Sequence, residues 1–167
     1  MKIFIIIRGD SLRGGGGAER RFVRLFNHIS QKEDNLYLLI NQRLFPELIN
    51  SGLVKKENKR IIFPENSDSL IGFNFWLIDT INVMKPDVLH LVLMQKSLIP
   101  FYLWLFGKRK IAIVQTIANS GFSLGGKLPV VEKYLGYLLF SRSNILDSLY
   151  PNFLRTSFGS RYANKVR

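Results

Sequence analysis

Four consecutive glycines, Gly14, Gly15, Gly16 and Gly17, separate a β-branched run from an amphipathic stretch. Glycine lets the backbone approach a ligand closely and tolerates positive φ. If a helix opens at Gly17, its unpaired N–H groups and its dipole favour an anion such as a phosphate. Glu19, in the first turn, complements the same dipole when the site is empty, and Arg20 follows it. The segment is not a P-loop, because no Gly-Lys-Ser/Thr follows the glycines. It is a poor dinucleotide fingerprint too: the glycines start seven residues after the run Ile3–Ile7, and Asn41, not an acid, closes the next apolar run. The bland alternative is that four glycines simply form a loop.

Other residues of chemical interest are scattered. His90 lies inside an apolar run, as either a satisfied interior histidine or a base at a cleft edge. Thr116, Asn119 and Ser120 follow a β-like run, at the edge where ligands of parallel sheets bind; such residues also fill ordinary loops. Arg20, Arg21 and Arg24 form either a solvated helix face or a contact to an anion. Trp104 with Lys108, Arg109 and Lys110 joins an apolar aromatic stretch to three cations, the pattern of a membrane-surface or polyanion patch; the same stretch also suits a core helix.

Whatever positions these residues is one domain's worth of chain. The sequence has 167 residues, 13 of them Phe, and no Cys. That is enough to bury a core, and it excludes disulfide frameworks, thiol catalysis and cysteine-built zinc sites. His28 and His90 have no carboxylate at ligand spacing, so no metal is expected. The formal net charge is +12. Residues 100–167 contribute ten cations against two acids, whereas residues 31–99 balance at eight of each. Such a balance attracts polyanions: nucleic acid, anionic lipid or phosphorylated substrates. The run Ile3–Ile7 is too short for a signal-peptide core, and Val88–Phe106 is broken by Gln95-Lys96-Ser97 and Pro100, so a cytoplasmic protein is expected, either free or peripheral on the anionic inner face of the membrane.

Hydrophobic patterning then supplies the elements. Continuous apolar runs at Lys2–Ile7, Leu36–Ile40, Arg60–Phe63, Val88–Val92, Lys110–Gln115 and Asn144–Leu149 predict strands buried on both faces. Helices are expected over 18–29, with Ala18, Phe22, Leu25, Phe26 and Ile29 inward and Glu19 outward, and over 44–50. Further helices are expected from Asn66-Ser67-Asp68-Ser69 to Met84, with Phe73, Leu77, Ile81 and Met84 inward, and over 97–106 with Gly107 as C-cap. The last two are expected over 130–140 and 151–163, after a loop at Thr116–Pro129. Strict alternation predicts a single α/β domain over 1–167: a doubly wound, mostly parallel Rossmann-like sheet with helices on both faces. Asn164-Lys165-Val166-Arg167 reads as the approach to a further strand, so the chain is expected to stop short of its last one.

Gly16-Gly17-Ala18-Glu19-Arg20, opening a helix after a strand and polar loop, resembles the start of retaining glycosyltransferases of the GT-B fold, those called family four or group one. Pro86-Asp87-Val88-Leu89-His90 resembles that family's Pro-Asp-aliphatic-aliphatic-His strand, and Lys110–Thr116 resembles the next. Asn144–Leu149, followed by a helix and Lys165-Val166, resembles the segment that leads to the strand closing the N-terminal domain. The resemblance covers the whole chain and rests on order more than on any one motif. It implies the N-terminal, acceptor-side domain of a two-domain enzyme, inactive without the C-terminal donor domain. The partners it implies are a nucleotide-sugar donor and a saccharide or lipid-linked acceptor, with no metal cofactor. The glycine loop, Glu19, Arg20, His90, Thr116 and Asn119 would face the cleft. The family often has a His shortly after the Thr that ends the fifth strand; Ala118 or Asn119 stands there instead. The competing reading is a non-catalytic basic module that binds nucleotides or nucleic acid, although no RNA-recognition or helix-turn-helix signature is present.

Overall fold

The computed structural model describes residues 1–9, 17–65, 69–92, 96–108, 110–117, 129–149, 152, 155 and 160–167. Six strands form one sheet: β1 (Ile3–Ile7), β2 (Leu36–Ile40), β3 (Ile61–Ile62), β4 (Val88–Val92), β5 (Ala112–Ile117) and β6 (Ile145–Ser148). Their spatial order is β3-β2-β1-β4-β5-β6, and every neighbouring pair is parallel. Ile5 stands opposite Leu38 on one side and His90 on the other. Among the described residues five helices lie between the strands: α1 (Gly17–Ser30), α2 (Leu44–Asn50), α3 (Leu70–Met84), α4 (Ile99–Phe106) and α5 (Pro129–Arg142).

Parity along the strands builds two apolar layers. Phe4 and Ile6 of β1, Leu89 and Leu91 of β4 and Ile113 of β5 face Phe73, Leu77 and Ile81 of α3 and Phe101, Tyr102 and Leu105 of α4. Ile5 and Ile7 of β1 face the opposite way with Leu38 and Ile40, onto Phe22, Val23 and Phe26 of α1 and Leu44 and Leu48 of α2. Both faces are buried, which is why the strands read as unbroken apolar runs. Each large side chain enclosed this way contributes about 2 kcal/mol.

The expected elements appear with informative offsets. β1, β2, α2 and β4 fall where patterning places them. Ser69 caps α3, its Oγ accepting from the Gly72 N–H at 2.9 Å. Lys85 ends that helix in the left-handed region (φ 48°), and Pro86 follows. Gly107 caps α4 at φ −72°, so no left-handed turn demands glycine there. β5 starts at Ala112 and runs through Ile117, so Thr116 is a strand residue rather than a loop residue. β-branched side chains continue that far, while Lys110 lies in the preceding turn. On α1, Leu25 is exposed and Val23 is fully buried, a correction to the expected inner stripe. Glu19, expected outward, lies partly buried on the stripe Glu19-Phe22-Val23-Phe26.

Two tethers fix the sheet's margins. Arg60, beside the two-residue strand β3, donates to the Glu33 carbonyl and pairs with Asp34 Oδ1, both at 3.0 Å. At the far margin Val166 forms a parallel bridge with Leu146 of β6, and the Arg167 N–H donates to the Leu146 carbonyl at 2.9 Å. The expected helix over 151–163 lies mostly outside the described residues.

Candidate functional site

β1 and β4 are neighbours, but the chain leaves them toward opposite faces: α1 packs on one side of the sheet and α4 on the other. The carboxyl ends of these strands are therefore the topological switch point, the usual ligand position in a doubly wound sheet. Arg8 and Gly9 follow β1 at that point, and both are buried. The Arg8 guanidinium carbon lies 5.8 Å from the centre of the Phe73 ring. Arg8 was not among the residues expected at the site. The available signal was a cation directly ending a strand buried on both faces.

Gly9 brings the head of α1 onto the strand. A Cβ at Gly9 would lie 3.4 Å from Glu19 Cγ and 3.7 Å from Leu44 Cδ2. The first turn of α1 thus rests against the end of β1, and the Glu19 side chain fills the space that Gly9 leaves. Gly17, the first residue of the helix, is exposed, and a Cβ there would meet nothing within 4 Å among the described residues. Arg20, Arg21 and Arg24 are exposed on the outer face of α1. Gly14, Gly15, Gly16 and Asn119 lie outside the described residues. Asn41 serves the fold: its Oδ1 accepts from the Leu44 N–H at 3.3 Å and opens α2.

His90 and Thr116 come together, though not as a cleft-edge pair. Both side chains point to the α1 face from within their strands. His90 Nε2 lies 2.7 Å from Thr116 Oγ1, and that hydroxyl lies 3.4 Å from Asp147 Oδ2 on β6. The hydroxyl has one hydrogen, so both contacts are satisfied when Thr116 donates to Asp147 and His90 donates through Nε2. The Phe22 ring meets the imidazole edge-on at 4.8 Å. Burial lowers the His90 pKa to about 4, against the opposing pull of Asp147. The imidazole is therefore neutral at pH 7 and unsuited to carry charge to a ligand. Asp147 was not anticipated; it lies 31 residues from Thr116, and only strand pairing joins them. On the other sheet face, Gln115 is fully buried and its Nε2 donates to the Leu91 and Thr116 carbonyls, while its Oε1 has no partner among the described residues.

The aromatic and basic patch belongs to the opposite end of the molecule. Lys108 Nζ lies 4.9 Å above the Trp104 ring, which stacks on Phe101 at 5.8 Å. Lys110 is exposed nearby, and Arg109 lies outside the described residues. These residues precede β5, so they sit at the amino edge of the sheet. Among the described residues, no three His, Asp or Glu side chains group closely enough to hold a metal ion.

No protein-family model matches the sequence, and no curated protein matches it. Solved structures do. Staphylococcus aureus MnaA in complex with UDP shares 16% identity at a TM-score of 0.62, over 99% of this chain and 43% of its own. Neisseria meningitidis UDP-GlcNAc 2-epimerase bound to UDP-GlcNAc shares 15% at 0.63, over 99% and 46%. Anabaena Alr3699/HepE in complex with UDP and glucose shares 13% at 0.63, over 100% and 43%. The chain thus spans less than half the length of these structures. At such identities the likeness is one of fold, and the fold is the six-stranded, doubly wound sheet of the N-terminal half of the GT-B architecture.

Proposed function

We propose that the chain is the acceptor-side lobe of a nucleotide-sugar-dependent glycosyltransferase of the family-four kind. The switch point at the ends of β1 and β4 faces the donor diphosphate and a carbohydrate or lipid-linked acceptor, and a second lobe completes the cleft. The observation that carries this reading is the seat of α1. Gly9 lets the first turn of the helix rest on the end of β1 at the point where the connections diverge. Amides at the head of α1 then point toward an anion at that rim, and Arg8, packed over Phe73 on the opposite face of the sheet, adds a cation at the same strand end. In transfer, charge develops on the departing diphosphate, and preformed donors of this sort stabilise it without needing a metal. Glu19 and Arg20 flank the entry, while His90, Thr116 and Asp147 hold β4, β5 and β6 in register behind it. Without the second lobe the chain does not catalyse transfer.

The test is a titration of the isotope-labelled chain with UDP and UDP-sugars, read by amide shifts. Expected are changes concentrated at Gly9, Ala18 and Glu19, lost in Gly9→Val, whose branched side chain would push against Glu19 and Leu44. Shifts spread evenly, or confined to the amino edge of the sheet, would overturn the reading. A second reading, epimerisation of the bound nucleotide-sugar, is favoured by the likeness to the Neisseria enzyme. Sugar conversion without any added acceptor would select it.

A further inference from the structure

The carboxyl rim of the sheet continues from β1 past β2 to β3. α2 opens at Leu44, whose Cδ2 lies beside Gly9 at the end of β1. The next residue, Phe45, meets Phe63, which follows β3: the ring centres are 4.3 Å apart and the planes 31° from parallel. Both rings are half-buried, and Ile61 beside them is buried. The three line a cavity of about 440 Å³ along the outer margin of β3.

The two ends of this cavity differ. Phe45, in the first turn after β2, and Phe63, just past β3, put its apolar end at the carboxyl rim. Lys56, Glu57 and Lys59, all exposed, line the other end from the turn that precedes β3. β3 is only two residues long, so the lysine turn and the phenyl pair are close enough to share one cavity. Neither lysine pairs with a carboxylate among the described residues, whereas Arg60 beside them is spent on the Glu33 carbonyl and Asp34. Lys55, Lys56 and Lys59 outnumber Glu57 in this turn.

The faces of phenyl rings are electron-rich and attract the weakly positive C–H bonds on the flat side of a sugar ring. Lysines at the other end favour a carboxylate or phosphate on that sugar. Continuity with the rim indicates which molecule brings it. β3 lies two strand spacings from β1, about 10 Å or the length of a disaccharide, and Leu44 and Phe45 join the two places. An acidic peptide would also satisfy the lysines, but β3 offers it only two residues of ladder.

We infer that Phe45 and Phe63, with Lys56 and Lys59, form a distal subsite for an anionic oligosaccharide acceptor. A sugar some way from the reacting end stacks on the phenyl pair, and its carboxylate meets the lysines. This rests on the acceptor-side reading and narrows it: the acceptor is a charged chain of sugars, held at a second point away from the reaction.

The experiment is an amide titration of the labelled chain in low salt with tri-galacturonate, using maltotriose as the neutral control and hexaglutamate as the peptide control. Tri-galacturonate should move Phe45, Ile61 and Phe63, and maltotriose should bind about tenfold more weakly. Phe63→Leu keeps the apolar bulk without the ring and should weaken binding about fivefold. Lys56→Gln with Lys59→Gln should weaken it about tenfold and flatten its salt dependence. Glu57→Gln should tighten it about twofold. Lys56, Glu57 and Lys59 are exposed, so their variants carry the test even where Phe63→Leu disturbs the fold. Equal binding of maltotriose, tighter binding of hexaglutamate at the same amides, or no change in the double lysine variant would overturn the inference. The two readings fail separately. UDP shifts at Gly9 and Ala18 without sugar shifts at Phe45 sink the subsite alone, and the reverse sinks the nucleotide site alone.

Discussion

The carboxyl and amino edges of this sheet are made from the same strands and behave in opposite ways. At the amino edge the helices end, and their unpaired carbonyls are met by Lys2, Arg142 and Lys165. At the carboxyl edge the helix heads and strand ends carry Arg8, Gly9 and Glu19, and Gly17 is exposed. A parallel sheet imposes this polarity: every connecting helix points its negative end one way and its positive end the other. The chain answers the negative ends with its own cations, a matter of stability. At the head of α1 the chain answers the positive end with Glu19 in the first turn.

That contrast can be broken by mutation. The largest effect is expected at the amino edge. Arg142→Ala removes the donors to the Lys108 and Ile111 carbonyls and should cost roughly 2–3 kcal/mol in urea unfolding. It should leave the nucleotide titration unchanged. A loss of less than half that size would mean the amino edge is not held by its cations. Next is His90, buried between the edges. Its folded pKa, about 4, lies below the ordinary 6.5. Between those values the unfolded chain binds a proton that the folded chain does not, so stability falls as pH falls through that window. His90→Gln should remove about 2 kcal/mol of that loss by pH 4, after allowance for partial exposure. Parallel pH profiles for the two proteins would refute it. The smallest effect is Gly17→Ala. With no described neighbour within 4 Å and no positive φ at this position, stability should change by less than about 0.5 kcal/mol. A larger loss would show that the head of α1 is packed rather than spare.

The same division explains what could be read from the sequence. Runs such as Ile3–Ile7 and Leu36–Ile40 announce themselves because both faces of each strand are covered, and the doubly wound class follows from their alternation with helices. Local pattern failed where a distant residue decides. Glu19 has the polarity of an outer residue, yet it turns inward because Gly9, ten positions earlier, leaves room. Val23 replaces Leu25 on the buried stripe for the same reason: the helix is rotated by what it packs on, not by its own composition. Thr116 has the look of a loop start until β6 pairs with it and sets Asp147 beside its hydroxyl. His90 carries no sign of its neutral state in the sequence; that comes from Phe22 above and burial around it. Arg8 escapes notice because a lone arginine after a strand has no motif.

The brevity of β3 has an effect on how molecules of this protein meet one another. With two paired residues and a guanidinium clasp in place of a longer ladder, that margin offers an approaching chain only a very short edge strand. Lys55, Lys56 and Lys59, all near the same margin, repel a second copy from that side. A short strand flanked by lysines disfavours strand addition at this border.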